Sequence, residues 1–234
     1  MVEKKRILLF STGMDSIIVK HLHHFSNDEC LFIRMGTAEN KIEEALVHKY
    51  FPGVRIADLP IGQYSLSNNI IPFRNYMLAL VAAQYGNEIC FGFTAGDTTK
   101  DKDYVFKAQV EAMLNYFATD PNKVCIPGPY EITMPYKALT KEEMLRVYIR
   151  CGYDVNILIN ASTSCYEGAE KACGICRSCL RKFVAFYNNG IDISNSLQQV
   201  PTKASLVEFY NQCIIKGREK ESNEVLQCIN TLRQ

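Results

Sequence analysis

Four short strand-like segments separated by stretches of helical periodicity restrict this chain to a layered α/β fold. Ile7-Leu8-Leu9-Phe10 opens the series, and Glu29-Cys30-Leu31-Phe32-Ile33, Val54 to Leu59 and Glu88 to Phe93 continue it. The continuous apolar run Ile7 to Phe10 reads as a buried parallel strand, which requires a sheet covered on both sides. Between the runs, Ser16 to Leu22, Asn40 to Tyr50 and Asn75 to Tyr85 have the spacing of helices lying on such a sheet, the second through Ile42, Ala45 and Leu46. The order β-α-β-α-β-α-β predicts a doubly wound parallel sheet. Ligands of such sheets bind beyond the carboxyl ends of the strands, where the strand order switches. Chemistry is therefore expected in the loops that begin at Ser11 and Thr94.

Further along, Lys107 to Phe117 reads as a helix, and Val124-Cys125-Ile126 and Glu131 to Met134 as extended segments. Thr140 to Gly152 reads as a helix with Thr140 as its cap, and Glu142 and Glu143 favour its first turn. Two amphipathic helices are expected in the tail, Ala204 to Ile215 and Glu219 to Leu232. The 234 residues suffice for one α/β domain with a small appendage. Lys plus Arg number 26 against 25 for Asp plus Glu, so no global basic field exists to attract nucleic acid, and no direct nucleic-acid partner is expected. No segment reaches the length of a membrane span or a secretory signal, so a cytoplasmic, reducing location is expected.

The first strand ends in Ser11-Thr12-Gly13-Met14-Asp15-Ser16 and leads directly into a helix. Gly13 allows close backbone approach to a phosphate, the hydroxyls of Ser11, Thr12 and Ser16 are donors, and the helix N-terminus adds N–H groups and positive partial charge. Asp15 suits such a loop if it helps hold a Mg²⁺ or accepts backbone hydrogen bonds. A plain Ser/Gly turn with Asp15 as a cap explains the same six residues. The position after the first buried strand of a βαβ pattern favours the phosphate site. The loop is neither Walker A nor Gly-x-Gly-x-x-Gly.

Six of the ten cysteines (Cys30, Cys90, Cys125, Cys151, Cys213, Cys228) lie singly among apolar neighbours and read as small buried hydrophobes. The other four, Cys165, Cys173, Cys176 and Cys179, fall within fifteen residues. Their all-thiolate spacing favours tetrahedral Zn²⁺ in a structural role, with an iron–sulfur cluster as the rival. Arg177, Arg181 and Lys182 are read as offsetting the charge of that centre.

The Ser11–Ser16 loop resembles the PP-loop of adenylate-forming ATP pyrophosphatases, with Thr12 where Gly is usual. Together with the cysteine cluster it resembles the QueC (7-cyano-7-deazaguanine synthase) family. Ile71-Pro72-Phe73-Arg74-Asn75, Gly92 to Asp97, Thr133-Met134-Pro135 with Leu139-Thr140-Lys141, and Ser164-Cys165-Tyr166 with Ala172-Cys173-Gly174 extend the likeness from about Ile7 to Phe186. The resemblance implies an adenine nucleotide alpha hydrolase-like fold. A PP-loop nucleotide-binding domain is expected over residues 1–155, with a zinc-binding helical region over 156–234 packed on it.

It also implies ATP, Mg²⁺ and Zn²⁺ as cofactors and 7-carboxy-7-deazaguanine and ammonia as reactants. The carboxylate is adenylated, ammonia displaces AMP to give the amide, and a second ATP converts the amide to the nitrile. On this reading Ser11, Thr12, Gly13, Asp15, Ser16 and Asn75 bind the nucleotide. Arg74 pairs with a carboxylate or phosphate, Lys141 neutralises developing phosphate charge, and Asp97 takes the exocyclic amine of the base. A homodimer is implied, although the tail helices are equally explained by packing on their own domain. Thr98 to Tyr104 departs from the family's Tyr-Pro-Asp-Cys-Arg-like run. That departure suggests an enzyme that stops at the amide, as relatives serving DNA modification do. PP-loop tRNA thiolation and a non-catalytic zinc module are the other readings.

Overall fold

The computed structural model describes residues 3–67, 70–163, 165–169 and 171–232; Ser164, part of the resemblance above, lies outside them. Five strands, β1 (Arg6–Leu9), β2 (Cys30–Arg34), β3 (Arg55–Asp58), β4 (Glu88–Cys90) and β5 (Glu131–Thr133), form one sheet in the order β3-β2-β1-β4-β5. All four pairings are parallel, and Leu8 lies opposite both Cys30 and Cys90. The chain winds outward from β1 to β3, crosses back, and continues through β4 to β5. The switch point thus lies between the carboxyl ends of β1 and β4, as the apolar runs predict.

Alternation along the buried strands divides the interior between two faces. Leu8, Cys30, Phe32 and Cys90 pack on one side with Ile17 and Ile18 of α1 (Met14–Leu22) and Val47 of α2 (Asn40–Tyr50). Ile7, Leu31, Ile33 and Ile89 pack on the other with Ala79 and Ala82 of α3 (Arg74–Ala82) and Phe106, Val110 and Leu114 of α4 (Tyr104–Phe117). The first of these cores also takes in Met144 and Leu145 of α5 (Lys141–Arg150) and Leu158 of α6 (Val155–Asn160). Phe183 and Phe186 of α7 (Arg177–Asn188), Phe209 of α8 (Lys203–Ile215) and Val225 of α9 (Glu219–Thr231) complete it. The apolar faces of the two tail helices are buried within the chain. Among the described residues, no helix is long and apolar enough to cross a membrane.

Several local expectations are corrected. Val124 to Ile126 forms no strand, and β4 stops at Cys90, although Phe91 remains buried and donates its N–H to Thr133 at 2.9 Å. Cys30, Cys90, Cys213 and Cys228 are buried as expected, but Cys125 and Cys151 are exposed. Helices α6 and α7 escape the sequence pattern. In α2 the periodicity is right and the face is wrong. Ala45 is exposed and Ile42 and Leu46 are half-buried, whereas Asn40, Glu43 and Val47 are buried.

Candidate active site

A cavity of about 280 Å³ opens at the carboxyl ends of β1 and β4. Its polar side is the β1–α1 loop. Ser11, Gly13, Asp15 and Ser16 line it, with Lys141 reaching over from the start of α5. The loop is held from within. The Gly13 N–H donates to Ser11 Oγ at 3.2 Å, and Ser16 Oγ lies 2.9 Å from the Gly13 carbonyl and against that of Ser11. Gly13 has φ −67°, which any residue adopts. What it contributes is space, since a Cβ there would stand 3.1 Å from Ser11 Oγ, beside the ligand volume.

Thr12 behaves differently from its expected role as a donor. Among the described residues only His24 and Phe73 are non-glycines with positive φ, so Thr12 needs no left-handed conformation. Its side chain is fully buried and absent from the cavity wall, and its Oγ1 has no hydrogen-bond partner among the described residues. Its carbonyl accepts the Thr163 N–H at 2.9 Å, which ties the loop to the segment entering the cysteine cluster.

Asp15 and Lys141 form an ion pair through Asp15 Oδ2, and both are largely buried. Lysine at a helix N-terminus faces the macrodipole unfavourably, so this position serves the cavity rather than the helix. Thr140 caps α5 in a capping box with Glu143 and so fixes where Lys141 emerges. Asp15 Oδ1 is buried and has no hydrogen-bond partner among the described residues. An orphaned carboxylate oxygen in such a loop suits a hard divalent cation such as Mg²⁺.

On the far wall, Phe73 caps α3 with φ +57°, an outlier for a bulky residue, and delivers Arg74 and Asn75 to the cavity. The Arg74 guanidinium has no ion-pair partner among the described residues. Asn75 is buried and donates to Asp101 Oδ2 at 2.7 Å, so it braces the divergent segment after Asp97.

Asp97 is the hub of a network. Its Oδ2 accepts the N–H and hydroxyl of Thr94 at 2.9 and 3.0 Å, and its Oδ1 faces Lys102 and Arg181, each at 3.3 Å. Burial alone would raise its pKa. The positive charges of Lys102, Arg181 and Lys141 instead hold it well below the usual carboxylate range. Four protein donors leave this carboxylate little capacity for a base amine. Arg181 continues the network to Glu221 of α9, whose other oxygen lies 3.3 Å from Arg218.

The four cysteine sulfurs lie within 4.8 Å of one another. Zn–S bonds of about 2.3 Å imply sulfurs about 3.8 Å apart, and Cys173 and Cys179 are already at 3.9 Å. Backbone N–H groups of Cys173 and Cys176 donate to Cys165 and Cys173 sulfurs at 3.3 Å, and such bonds favour thiolates. The set can hold a metal ion such as zinc, and four protein ligands leave no open position for catalysis. Gly174 is obligatory here, with φ +82° and a Cβ position that would overlap the Gln199 carbonyl oxygen. The cluster borders the cavity, which is lined by Cys165 and by its neighbours in sequence Tyr166, Ser178 and Arg181.

Lys102, Arg181 and Glu43 are wall residues that the motifs do not reveal, and Tyr166, which the motifs include only beside Cys165, joins them in the wall. Arg181, read as a counter-charge to the metal centre, is committed to Asp97 and Glu221. Lys182 is buried, and burial pulls its amine down to about 8. It donates to Ser162 Oγ at 2.7 Å and to the Ser162 carbonyl at 3.0 Å, fastening the segment that leans on Thr12.

The family model described as "Queuosine biosynthesis protein QueC" matches residues 43–190, more than half of the chain. A 7-cyano-7-deazaguanine synthase of Pseudoalteromonas atlantica is 26% identical, with 80% of this chain and 95% of that protein covered. One from Caldicellulosiruptor saccharolyticus is 30% identical over 57% of this chain and 58% of its own length. One from Chromohalobacter salexigens is 26% identical over 80% and 83%. With the parallel sheet, the β1–α1 loop and the four-cysteine cluster in the expected places, this match shows that the chain belongs to the QueC family.

Proposed function

We propose that the chain activates the carboxylate of 7-carboxy-7-deazaguanine with ATP and joins it to ammonia, giving the amide and then the nitrile 7-cyano-7-deazaguanine. One observation carries this reading. A single cavity holds a phosphate-type loop, the Lys141–Asp15 pair, an unpaired Arg74 and a wall built by the cysteine cluster. The names of the related synthases supply the product, 7-cyano-7-deazaguanine.

A carboxylate is a poor electrophile until one of its oxygens becomes a good leaving group. Ser11, Gly13 and Ser16 would cradle the pyrophosphate of ATP beside the α1 N-terminus. Asp15, through its orphaned Oδ1, would hold Mg²⁺, which supplies charge neutralisation between phosphate oxygens. Lys141 would stabilise charge that develops as pyrophosphate departs. Arg74 would orient the substrate carboxylate through its planar fork. The cysteine cluster, filled by Zn²⁺, would hold Tyr166 and Arg181 in the wall.

The divergent segment after Asp97 favours a second product. Lys102 engages Asp97 and Arg218 engages Thr98 at 3.1 Å, so this loop is fastened to α9 beside the cavity. An enzyme altered there would release the amide. Incubation with ATP, ammonia and the carboxylate, with product masses followed over time, decides between them. Accumulated amide supports the second reading, complete conversion to nitrile supports the first, and absence of AMP formation removes both.

A further inference from the structure

Glu43 breaks the pattern of α2. It lies on the helix face that a soluble α/β protein fills with apolar residues, is 9% exposed, and lines the cavity with Leu31, Ile33 and Leu78. Among the described residues its one side-chain hydrogen-bond partner is Asn40, whose Nδ2 donates to Oε2 at 3.0 Å. The direction of that bond is fixed, because Asn40 Oδ1 already accepts the N–H groups of Met35 and Gly36 at 2.6 and 2.8 Å. The carboxylate therefore keeps Oε1 and part of Oε2 for a ligand. No cation is paired with it among the described residues. Burial pushes its carboxyl up to about 7, against the pull of the Asn40 bond and the distant charge of Arg74.

A buried carboxylate without a counter-charge is matched by neighbouring N–H donors on a ligand. A guanine-type ring offers two side by side, the ring N1–H and the exocyclic 2-amino group. Adenine offers one donor beside one acceptor, which suits a neutral acid or an amide. Asp97, with four protein donors, is saturated by comparison.

We propose that Glu43 recognises the substrate base by accepting hydrogen bonds from the N1–H and 2-amino group of the deazaguanine ring. The assignment rests on the function proposed above and adds a specificity residue to it. Residues at the opposite side of the cavity then handle ATP.

The test titrates wild type and Glu43→Gln with 7-carboxy-7-deazaguanine, with its analogue lacking the 2-amino group, and separately with ATP. Wild type is expected to bind the analogue ~10- to 100-fold more weakly than the parent, the range for a hydrogen bond to a charged group. Glu43→Gln is expected to lose a similar factor for the parent, to stop distinguishing the two bases, and to keep its ATP affinity within about twofold. Equal binding of both bases by wild type overturns the assignment, whatever the variant does. So does parent-like affinity in Glu43→Gln, or a loss that falls on ATP, which places Glu43 at the nucleotide. Wild type that binds neither base overturns the proposed function as well, whereas wild type that binds both equally overturns this assignment alone.

Discussion

Lys141 and Asp15 meet as an ion pair across 126 positions of sequence, joining the start of α5 to the loop after β1. The pair satisfies one Asp15 oxygen and leaves the other, which is buried, without a hydrogen-bond partner among the described residues. On the proposed function the lysine is held in place before a phosphate arrives, so little reorganisation is needed when charge develops. Lys141→Met keeps the apolar stem and removes the charge. We expect kcat for AMP release to fall by ~10²–10³-fold, with a smaller change in ATP affinity. Single-turnover kinetics check this, and an unchanged chemical step would remove Lys141 from the machinery.

Thr12 gives the opposite expectation. Its buried, unpartnered hydroxyl is a cost rather than a contact, and the isosteric Thr12→Val removes it. Activity should stay within a few-fold of wild type, and stability should hold or rise by ~1 kcal/mol, read by urea denaturation. A large rise in the KM for ATP would show that the hydroxyl reaches the phosphates after all.

The cysteine cluster should be needed for the shape of the site. Removing the metal with a chelator, or by Cys173→Ser, frees a wall that contributes Tyr166 and Arg181 to the cavity. Loss of even ~4 kcal/mol corresponds to roughly 8–16 °C in Tm at this chain length. We expect such a fall together with loss of substrate binding, and elemental analysis should find one zinc per chain. Iron in place of zinc, or full activity without metal, would contradict the structural assignment. Gly174→Ala should reproduce the defect, because its Cβ has no room beside Gln199.

Asp97 should anchor stability at neutral pH. Asp97→Asn leaves Arg181 and Lys102 facing each other with one negative partner fewer. Breaking a buried pair of this kind costs about 3–5 kcal/mol. Because the folded-state pKa of Asp97 is depressed, its contribution is complete above the unfolded carboxylate value near 4. It is lost as pH falls below that toward the folded value. Wild type and Asp97→Asn should therefore converge in stability on acidification below about pH 4 and differ most at neutral pH, where denaturant titrations at both pH values compare them. A gap that does not narrow in acid would show that the ionised carboxylate is not the source.

The sheet and the β1–α1 loop that lines the cavity are legible because their signals are local. Apolar runs report burial on both faces, and Ser11 to Ser16 occupies one turn. The Cys165–Cys179 spacing was equally readable, since chelation demands proximity. Helix α7 was not, because its buried face carries Arg181 and Lys182, charges that only their distant partners Asp97, Glu221 and Ser162 explain. Lys102 and Tyr166 reach the cavity from irregular segments with no period to read. The buried face of α2 was misplaced for a related reason. Asn40 and Glu43 hold positions where hydrophobic periodicity expects aliphatic side chains, and such local violations gather at functional sites.

That violation has a measurable consequence for stability in the ligand-free protein. Glu43 carries a folded-state pKa raised from 4.5 to about 7 by burial. The folded chain therefore holds a proton there that the unfolded chain has released, and stability falls as pH rises from about 4.5 to about 7. Above that window the penalty is constant, on the order of 3 kcal/mol for a shift of this size. Glu43→Gln has no proton to release. Its stability relative to wild type should be near zero or slightly negative at pH 4.5, rise through the window, and level off by pH 8. Thermal or urea unfolding of both proteins at pH 4.5, 6 and 8 traces the curve. A pH-independent difference would mean that Glu43 ionises in the fold as it does in the open chain, through a counter-charge or through water. A variant more stable than wild type at pH 8 yet weaker in binding the base would show that α2 gives up stability for recognition at this position.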